Sequence, residues 1–427
     1  MSGKNRFEIE RDELLGEEVW LARTSRGLPV RVVPTQRFRE TAAVLYVGYG
    51  STDLRFELEG REIESPEGVA HYLEHKLFED EALAAFDRFS SRGARVNAST
   101  SFSRTSYFFT ATDQIAANLQ DLLHLVSHAH ITEENVEKER GIIAQELRMY
   151  EDSPDFALFF DFLGGLYARH PVRHPVGGTV ESIQDVTAEH LLECHRAFYR
   201  TGNAALAVCG PVEPEAILDL AEACALPEGD AVPVLRPADL GPIEAATQPA
   251  PRAREVPRAK MMLGCKDRDL TDDAEQRRHR QLMTDVALDR LFSAASEVRE
   301  DLRHRGVIDD SLSAGYLCDA SFGFSSLTCE TDDPDATAAA LTEVVQRPPR
   351  IEADYLERVR AKLLGRYVRS FGSSRGIASA QAEEAVHGLA PFQAMRRVAA
   401  LTSDEIEARH REHFRAEALA QARLLPA

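Results

Sequence analysis

The chain has 427 residues, long enough for two to four packed domains with sizeable cores. Its 44% hydrophobic and 28% charged content is that of an ordinary globular protein, and a net charge of −20 disfavours nucleic acid as a main partner. No apolar run approaches the roughly 18 residues of a membrane span, and the opening MSGKNRFEIERDELL has neither an apolar leader core nor transit-peptide character, so no membrane partner and a cytoplasmic location are expected. Cys194, Cys209, Cys224, Cys265, Cys318 and Cys329 are scattered without a C-x-x-C, which fits buried small hydrophobes in a reducing compartment better than disulfides or zinc ligands.

The first strongly patterned element is a helix opening at Ser65-Pro66-Glu67-Gly68. Ser65 is placed to cap it, Pro66 to occupy its first position, and Glu67 to meet the positive end of its dipole. Val69, Leu73 and Leu77 form an apolar stripe with Tyr72 beside it. The same helix carries His71-Tyr72-Leu73-Glu74-His75. At ~100° per residue, positions 71, 74 and 75 fall within about one third of the circumference. Two imidazoles four apart can grip one cation, and the Glu between them can reach a water on it. The order H-x-x-E-H is the reverse of the commoner H-E-x-x-H zinc-protease motif. Three residues in a fixed pattern also arise by chance, and a metal site needs a third protein ligand.

Residues 93–112, GARVNASTSFSRTSYFFTAT, read as two strands joined by a Ser/Arg turn. Thr132 to Tyr150 reads as a second helix, capped by Thr132, with Glu133 and Glu134 in its first turn and Val136, Ile142, Ile143, Leu147 and Tyr150 as its apolar pattern. Glu139 and Glu146 are seven apart and share one face, flanked by Ile142 and Ile143. Carboxylates bordering an apolar face are unusual; taken alone, the simpler reading is that both are solvated or paired with Lys138, Arg140 or Arg148. His124/His128 and His170/His174 also have metal-like spacing, but neither pair has a matching acid on its face, and neither is expected to bind metal.

Residues 225–259 are rich in Pro, Ala and charge and read as a linker, dividing the chain into an N-terminal half, 1–224, and a C-terminal half, 260–427. An internal repeat supports the division. VTAEHLLECHRAFY (186–199) matches LTSDEIEARHREHF (401–414) at a constant offset of 215, close to half the chain. The second-copy equivalent of the His motif falls near Val286–Arg290 and has no His pair, so the expectation is a duplicated α+β domain with one copy degenerate in chemistry.

The segments GVAHYLEHKLFED and EKERGIIAQELRMYEDSP resemble the pitrilysin-type zinc metallopeptidases, the M16 or inverzincin family, in its bacterial short two-domain form. HPVRHPVGGTVESIQDVT (170–187) and FYRTGNAALAVCG (198–210) are similar to the same family's N-terminal half, while the likeness is diffuse beyond residue 260. The resemblance implies an α+β fold of two homologous LuxS/metalloenzyme-like halves, each a mixed or antiparallel sheet packed with helices, facing each other across a chamber. It implies His71, His75 and Glu146 as Zn2+ ligands, Glu74 as general base, and Glu139 as a supporting carboxylate. Asn97-Ala98 resembles the family's N-A element, on a strand whose edge takes up an extended peptide, with the small Ala98 permitting close approach. The implied activity is endopeptidase action on peptides or unfolded segments; the alternative is a catalytically silent peptide-binding or scaffold subunit, although silent members usually lose part of the His/Glu set.

There is one departure. Many active members supply, from the second half, an Arg followed seven residues later by a Tyr to hold substrate. In VREDLRHRGVIDDSLSAGY, Arg303 is the nearest substrate-binding candidate, but Asp310 follows at that spacing, Arg299 leads to Gly306, and Tyr316 is too distant in sequence. Some members complete the pair with a sister chain, so a homodimer or a heterodimer with an M16-like subunit is expected.

Overall fold

Two sheets organise the chain, and the most apolar strands show why. TAAVLYV at 41–47 and AALAVCG at 204–210 are buried at every residue. Strands read as uninterrupted apolar runs when both faces of their sheet are covered.

The computed structural model describes residues 6–13, 15–79, 85–235 and 247–427. Up to residue 235 the strands are β1 (Glu8–Asp12), β2 (Glu17–Arg23), β3 (Pro29–Pro34), β4 (Thr41–Val47), β5 (Arg55–Leu58), β6 (Arg61–Glu64), β7 (Arg95–Thr100), β8 (Thr105–Ala111) and β9 (Ala204–Gly210). The helices there are α1 (Val69–Leu77), α2 (Ala85–Ser91), α3 (Ile115–Ser127), α4 (Glu133–Glu151), α5 (Pro154–Leu166), α6 (Ala188–Phe198) and α7 (Pro214–Ala221). Then come β10 (Arg252–Arg254), β11 (Ala259–Cys265), β12 (Ser313–Cys318), β13 (Gly323–Thr331) and β14 (Leu419–Pro426). Their helices are α8 (Ala274–Phe292), α9 (Glu297–His304), α10 (Pro334–Gln346), α11 (Ala353–Ser370), α12 (Ser374–Val386), α13 (Gln393–Ala400) and α14 (Ser403–His413). No helix among the described residues is long and apolar enough to cross a membrane.

The first sheet runs β1-β2-β3-β9-β4-β8-β7, antiparallel except for the parallel β3–β9 pair, and β7 is an edge. Alternate residues of β4 serve opposite faces. Ala43, Leu45 and Val47 join Tyr107 and Phe109 against Val69, Leu73, Leu119 and Leu122. Ala42, Val44 and Tyr46 join Phe108 and Ala207 against Ile377, Ala378 and Ala382 of α12. The second sheet runs β10-β14-β11-β13-β12, and α5 packs on its β11 and β14. The α+β architecture with mixed sheets expected from the sequence is what is found.

The compact units are not contiguous stretches of chain. One is Met1–Leu147, Pro175–Leu235 and Gly365–Gln393; the other is Arg148–His174, Arg236–Leu364 and Ala394–Ala427. Each unit thus includes a helix from the other half of the sequence. Within the first, buried Arg31 of β3 donates to Gln381 of α12 at 3.1 Å and pairs with Glu384. Within the second, Tyr167 just beyond α5 donates to the Gly323 carbonyl at 2.6 Å and accepts from its amide at 3.0 Å. Of the expected linker, Pro233 and Leu235 bond to the backbone of β5, 236–246 lie outside the described residues, and β10 pairs in parallel with β14.

The repeat is structural. Thr187 and Thr402, 215 apart, form the capping boxes of α6 and α14. His195 Nε2 meets the Val126 carbonyl at 2.9 Å, and His410 Nε2 meets that of Val345 at 2.8 Å. Ser153 and Ser373 cap α5 and α12 in the same way, so the two exchanged helices are themselves equivalents. In α8, where the second His motif would stand, Val286, Ala287 and Leu288 are buried, and Asp289 accepts from the Tyr355 hydroxyl.

Beneath the second sheet, Arg409 and Asp267 form an ion pair in which both side chains are 2% exposed, and the Tyr316 hydroxyl also donates to Asp267. Burial alone would raise the Asp267 carboxyl; the His413 ring and the Arg409 guanidinium outweigh it and hold the group well below the usual carboxylate range. Asp267→Asn leaves Arg409 buried without its counter-charge and should cost about 3–5 kcal/mol in urea denaturation. A depressed folded pKa contributes stability above the unfolded value of about 3.9 and loses it below, so the wild type should lose stability more steeply than the variant as pH falls through 4.

Candidate metal centre

The helix α1 begins later than its sequence suggests. Gly68, with φ of 90°, precedes its first residue, and Ser65 lies near the Cys194 thiol instead of capping. The cause is tertiary: a Cβ on Gly68 would lie 2.2 Å from the Gly177 carbonyl oxygen, so only glycine lets that loop pass and only glycine suits this φ. A Cβ on Gly177 would in turn press on Leu147 and approach the His71 ring at 3.4 Å.

Two side chains fasten α1 to α4. The Tyr72 hydroxyl donates to the Val136 carbonyl at 2.5 Å, and the fully buried Lys76 ammonium donates to that of Asn135 at 2.9 Å. Each stands one residue after a histidine, so fixing this face of α1 also fixes His71 and His75. Their ring centroids are 4.7 Å apart. From α4, Glu146 Oε1 lies 3.8 Å from His71 Nε2, and Oε2 lies 3.4 Å from His75 Nε2. Ligand atoms of the three residues all lie within 4.8 Å of one another. Glu139, nearly two turns earlier on α4, meets His75 Nδ1 at 3.0 Å.

The electrostatics suit a cation. Burial, with the neighbouring His75 ring, pushes His71 down to about 4, so it is a neutral donor at pH 7. Burial would also lower His75, but the hydrogen bond and charge of Glu139 outweigh it, and the same bond holds Glu139 below its usual range. When His75 is neutral and gives Nδ1–H to Glu139, the lone pair of its Nε2 faces Glu146. Two imidazole nitrogens and a carboxylate then point acceptor to acceptor, an arrangement that a cation between them relieves. Nitrogen and carboxylate donors in this number suit zinc with a fourth position open.

Glu74 is not one of the three converging residues, but its carboxylate lies close enough to feel the charges of His75 and Glu146. Its Oε2 accepts from the Thr100 hydroxyl at 2.5 Å. Burial raises its carboxyl, and the Thr100 hydrogen bond offsets part of that. Thr100 ends β7, the exposed edge on which Asn97 is solvent-facing and Ala98 packs towards the core. Arg303 stands on α9 in the other unit, paired with Glu300 and Asp310. Arg299 holds the carbonyls of Phe292 and Asp310, and Tyr316 is committed to Asp267. Ile142, expected in the apolar stripe of α4, is 52% exposed beside the site, and Tyr150 is also exposed. Sequence reasoning missed Tyr72, Lys76 and Thr100 as site-builders. A lysine four residues from Tyr72 on the buried face was the one available signal; Thr100 gave none.

Residues 41–180 match the family model Insulinase (Peptidase family M16), and residues 185–362 match that of the Peptidase M16 inactive domain. A Bacillus subtilis (strain 168) protein named "Uncharacterized zinc protease YmfH" is 33% identical over 419 residues, 97% of this chain and 98% of its own. The chain belongs to the M16 peptidase family. The crystal structure of an M16-like protein from Alicyclobacillus acidocaldarius superposes on this M16 chain with a TM-score of 0.89 at 30% identity, covering 100% of both chains. Zinc protease PqqE of Helicobacter pylori (strain ATCC 700392 / 26695) is 32% identical over 164 residues, 36% of each chain. Pitrilysin shares the fold, with a TM-score of 0.76 at 14% identity over 99% of this chain and 47% of its own. The inactive-domain match falls largely on the stretch whose α8 has no His pair.

If the trio holds the metal, the wild type should bind one equivalent of zinc, whereas His71→Ala and Glu146→Ala should each lose it. Elemental analysis of the purified variants, with circular dichroism to confirm folding, checks this.

Proposed function

We propose that this M16 chain is a zinc-dependent endopeptidase acting on peptides or unfolded segments. The observation that carries the reading is the convergence of His71, His75 and Glu146 within 4.8 Å, with the Glu74 carboxylate beside them on α1. A zinc ion held by those three residues would polarise a scissile carbonyl and make a water acidic near neutral pH.

The chain's own residues supply the rest. Glu74, one residue before His75, has a carboxylate too close along the helix to share the ion comfortably and well placed to take a proton from the attacking water. It then returns that proton to the leaving amine. Glu139, 3.0 Å from His75 Nδ1, would hold the ring in the tautomer that leaves Nε2 free to ligate a metal. The edge of β7, which no neighbouring strand covers, can take up an extended peptide, with Asn97 at the rim, its Oδ1 accepting the Ala98 N–H, and Ala98 leaving room for the peptide main chain.

The match of the second half to an inactive-domain model raises the alternative of a silent, peptide-binding subunit. The presence of Glu74 and all three ligand candidates in the first half favours activity. The incomplete Arg/Tyr pair around Arg303 supports assembly as a homodimer or a heterodimer with an M16-like sister chain. All six cysteines are free thiols, which supports a reducing, cytoplasmic compartment.

The test is turnover of a quenched-fluorescence peptide library by the zinc-loaded protein, alone and with candidate sister chains. Glu74→Gln should retain one equivalent of zinc and lose at least about 100-fold in kcat. Full activity in that variant removes Glu74 from the mechanism, and a wild type that is inactive in every combination favours the silent reading.

A further inference from the structure

A glutamate has three rotatable bonds, and a general base must meet its water in one geometry. Something has to hold Glu74. The direction of one proton shows what does. Thr105 Oγ1 donates to the Tyr49 carbonyl at 2.9 Å, so its single proton is already committed. Thr100 Oγ1 lies 3.4 Å from Thr105 Oγ1 and 2.5 Å from Glu74 Oε2. A carboxylate only accepts, so the Thr100 proton goes to Glu74. The Thr100 hydroxyl thus engages Oε2, beside a further hydrogen bond from the Thr100 backbone to the same carboxylate.

We propose that Thr100 is a positioning residue that ties the Glu74 carboxylate to the edge strand β7. Thr100 is β-branched and sits in a strand, where its χ1 is restricted, so it is a stiff post. It is two residues from Ala98 and projects to the same side of the strand. A peptide added along β7 and the carboxylate that serves as base are thereby referenced to one strand. The inference rests on Glu74 acting as the base.

The experiment compares Thr100→Val, which keeps the shape and removes the hydroxyl, with Thr100→Ser, which keeps the hydroxyl and removes the methyl. Both are studied in the full chain, together with the sister subunit if activity requires one. Thr100→Val should lose about 10- to 100-fold in kcat, with KM within about twofold, unchanged zinc stoichiometry and unchanged Tm; Thr100→Ser should recover most of the loss. Crystal structures of the metal-free proteins give a second readout, independent of turnover: held only by the Thr100 backbone N–H, the Glu74 carboxylate should shift or become disordered in Thr100→Val and keep its place in Thr100→Ser. Wild-type kcat in Thr100→Val overturns the proposal. So does an equal loss in the two variants, or a loss that follows zinc content or Tm. If the wild type hydrolyses no peptide, the endopeptidase reading fails, while the metal-free structures still decide whether Thr100 places the carboxylate.

Discussion

The docking of α1 against α4 is the constraint on which the site depends. Two hydrogen bonds from α1 side chains, Tyr72 and Lys76, end on backbone carbonyls in the first turn of α4. Backbone acceptors cannot swing away as side chains do, so the separation of the helices is set by their main chains. The imidazoles next to those anchors are thereby held opposite Glu139 and Glu146. Such a concentration of acceptors is costly unless a cation or shared protons sit between them, and the docking keeps it from relaxing.

That helix pair joins the apolar core on one face of the first sheet, and the other face of the sheet is covered too. The cover, α12, comes from residues 374–386, far along the chain. Its equivalent from the first half, α5, covers β11 and β14 in the second unit. The symmetry of the exchange follows from duplication: each half carries the same capped helix, and each helix packs in the unit built mostly from the other half. A folded first unit therefore needs chain from beyond residue 364, although every candidate ligand lies before residue 147.

The two halves also show how duplication leaves one copy free to change. Where α1 has His71 and His75, the corresponding stretch of α8 turns buried apolar residues to its core, and Asp289 is occupied by Tyr355 and Lys362. The elements that hold the architecture, the capping boxes at Thr187 and Thr402 and the buried histidines bonded to Val126 and Val345, remain in both. Packing constrains the frame in each copy, while the chemistry of the helix that carries the histidines is constrained only where it is used.

Much of this was legible in the sequence. The H-x-x-E-H spacing places its three side chains on one helix face by geometry alone. The two acids seven apart define a face of α4, and the dense Thr, Tyr and Phe of 95–111 make two strands. These are local properties, governed by 3.6- and 2-residue periods. The true start of α1 was not legible, because Gly68 answers to a carbonyl more than a hundred residues away. Nor was the exposure of Ile142, since a helical stripe gives period and not which neighbours cover it. The exchange of α5 and α12, the anchoring by Tyr72 and Lys76, and the bond from Thr100 to Glu74 were equally hidden. The sequence by itself determined which ligating and proton-transferring groups exist and which face of its own element each occupies. Only the tertiary structure decided which of them meet, because contact between residues some seventy positions apart depends on how helices and strands pack, and no local period carries that information.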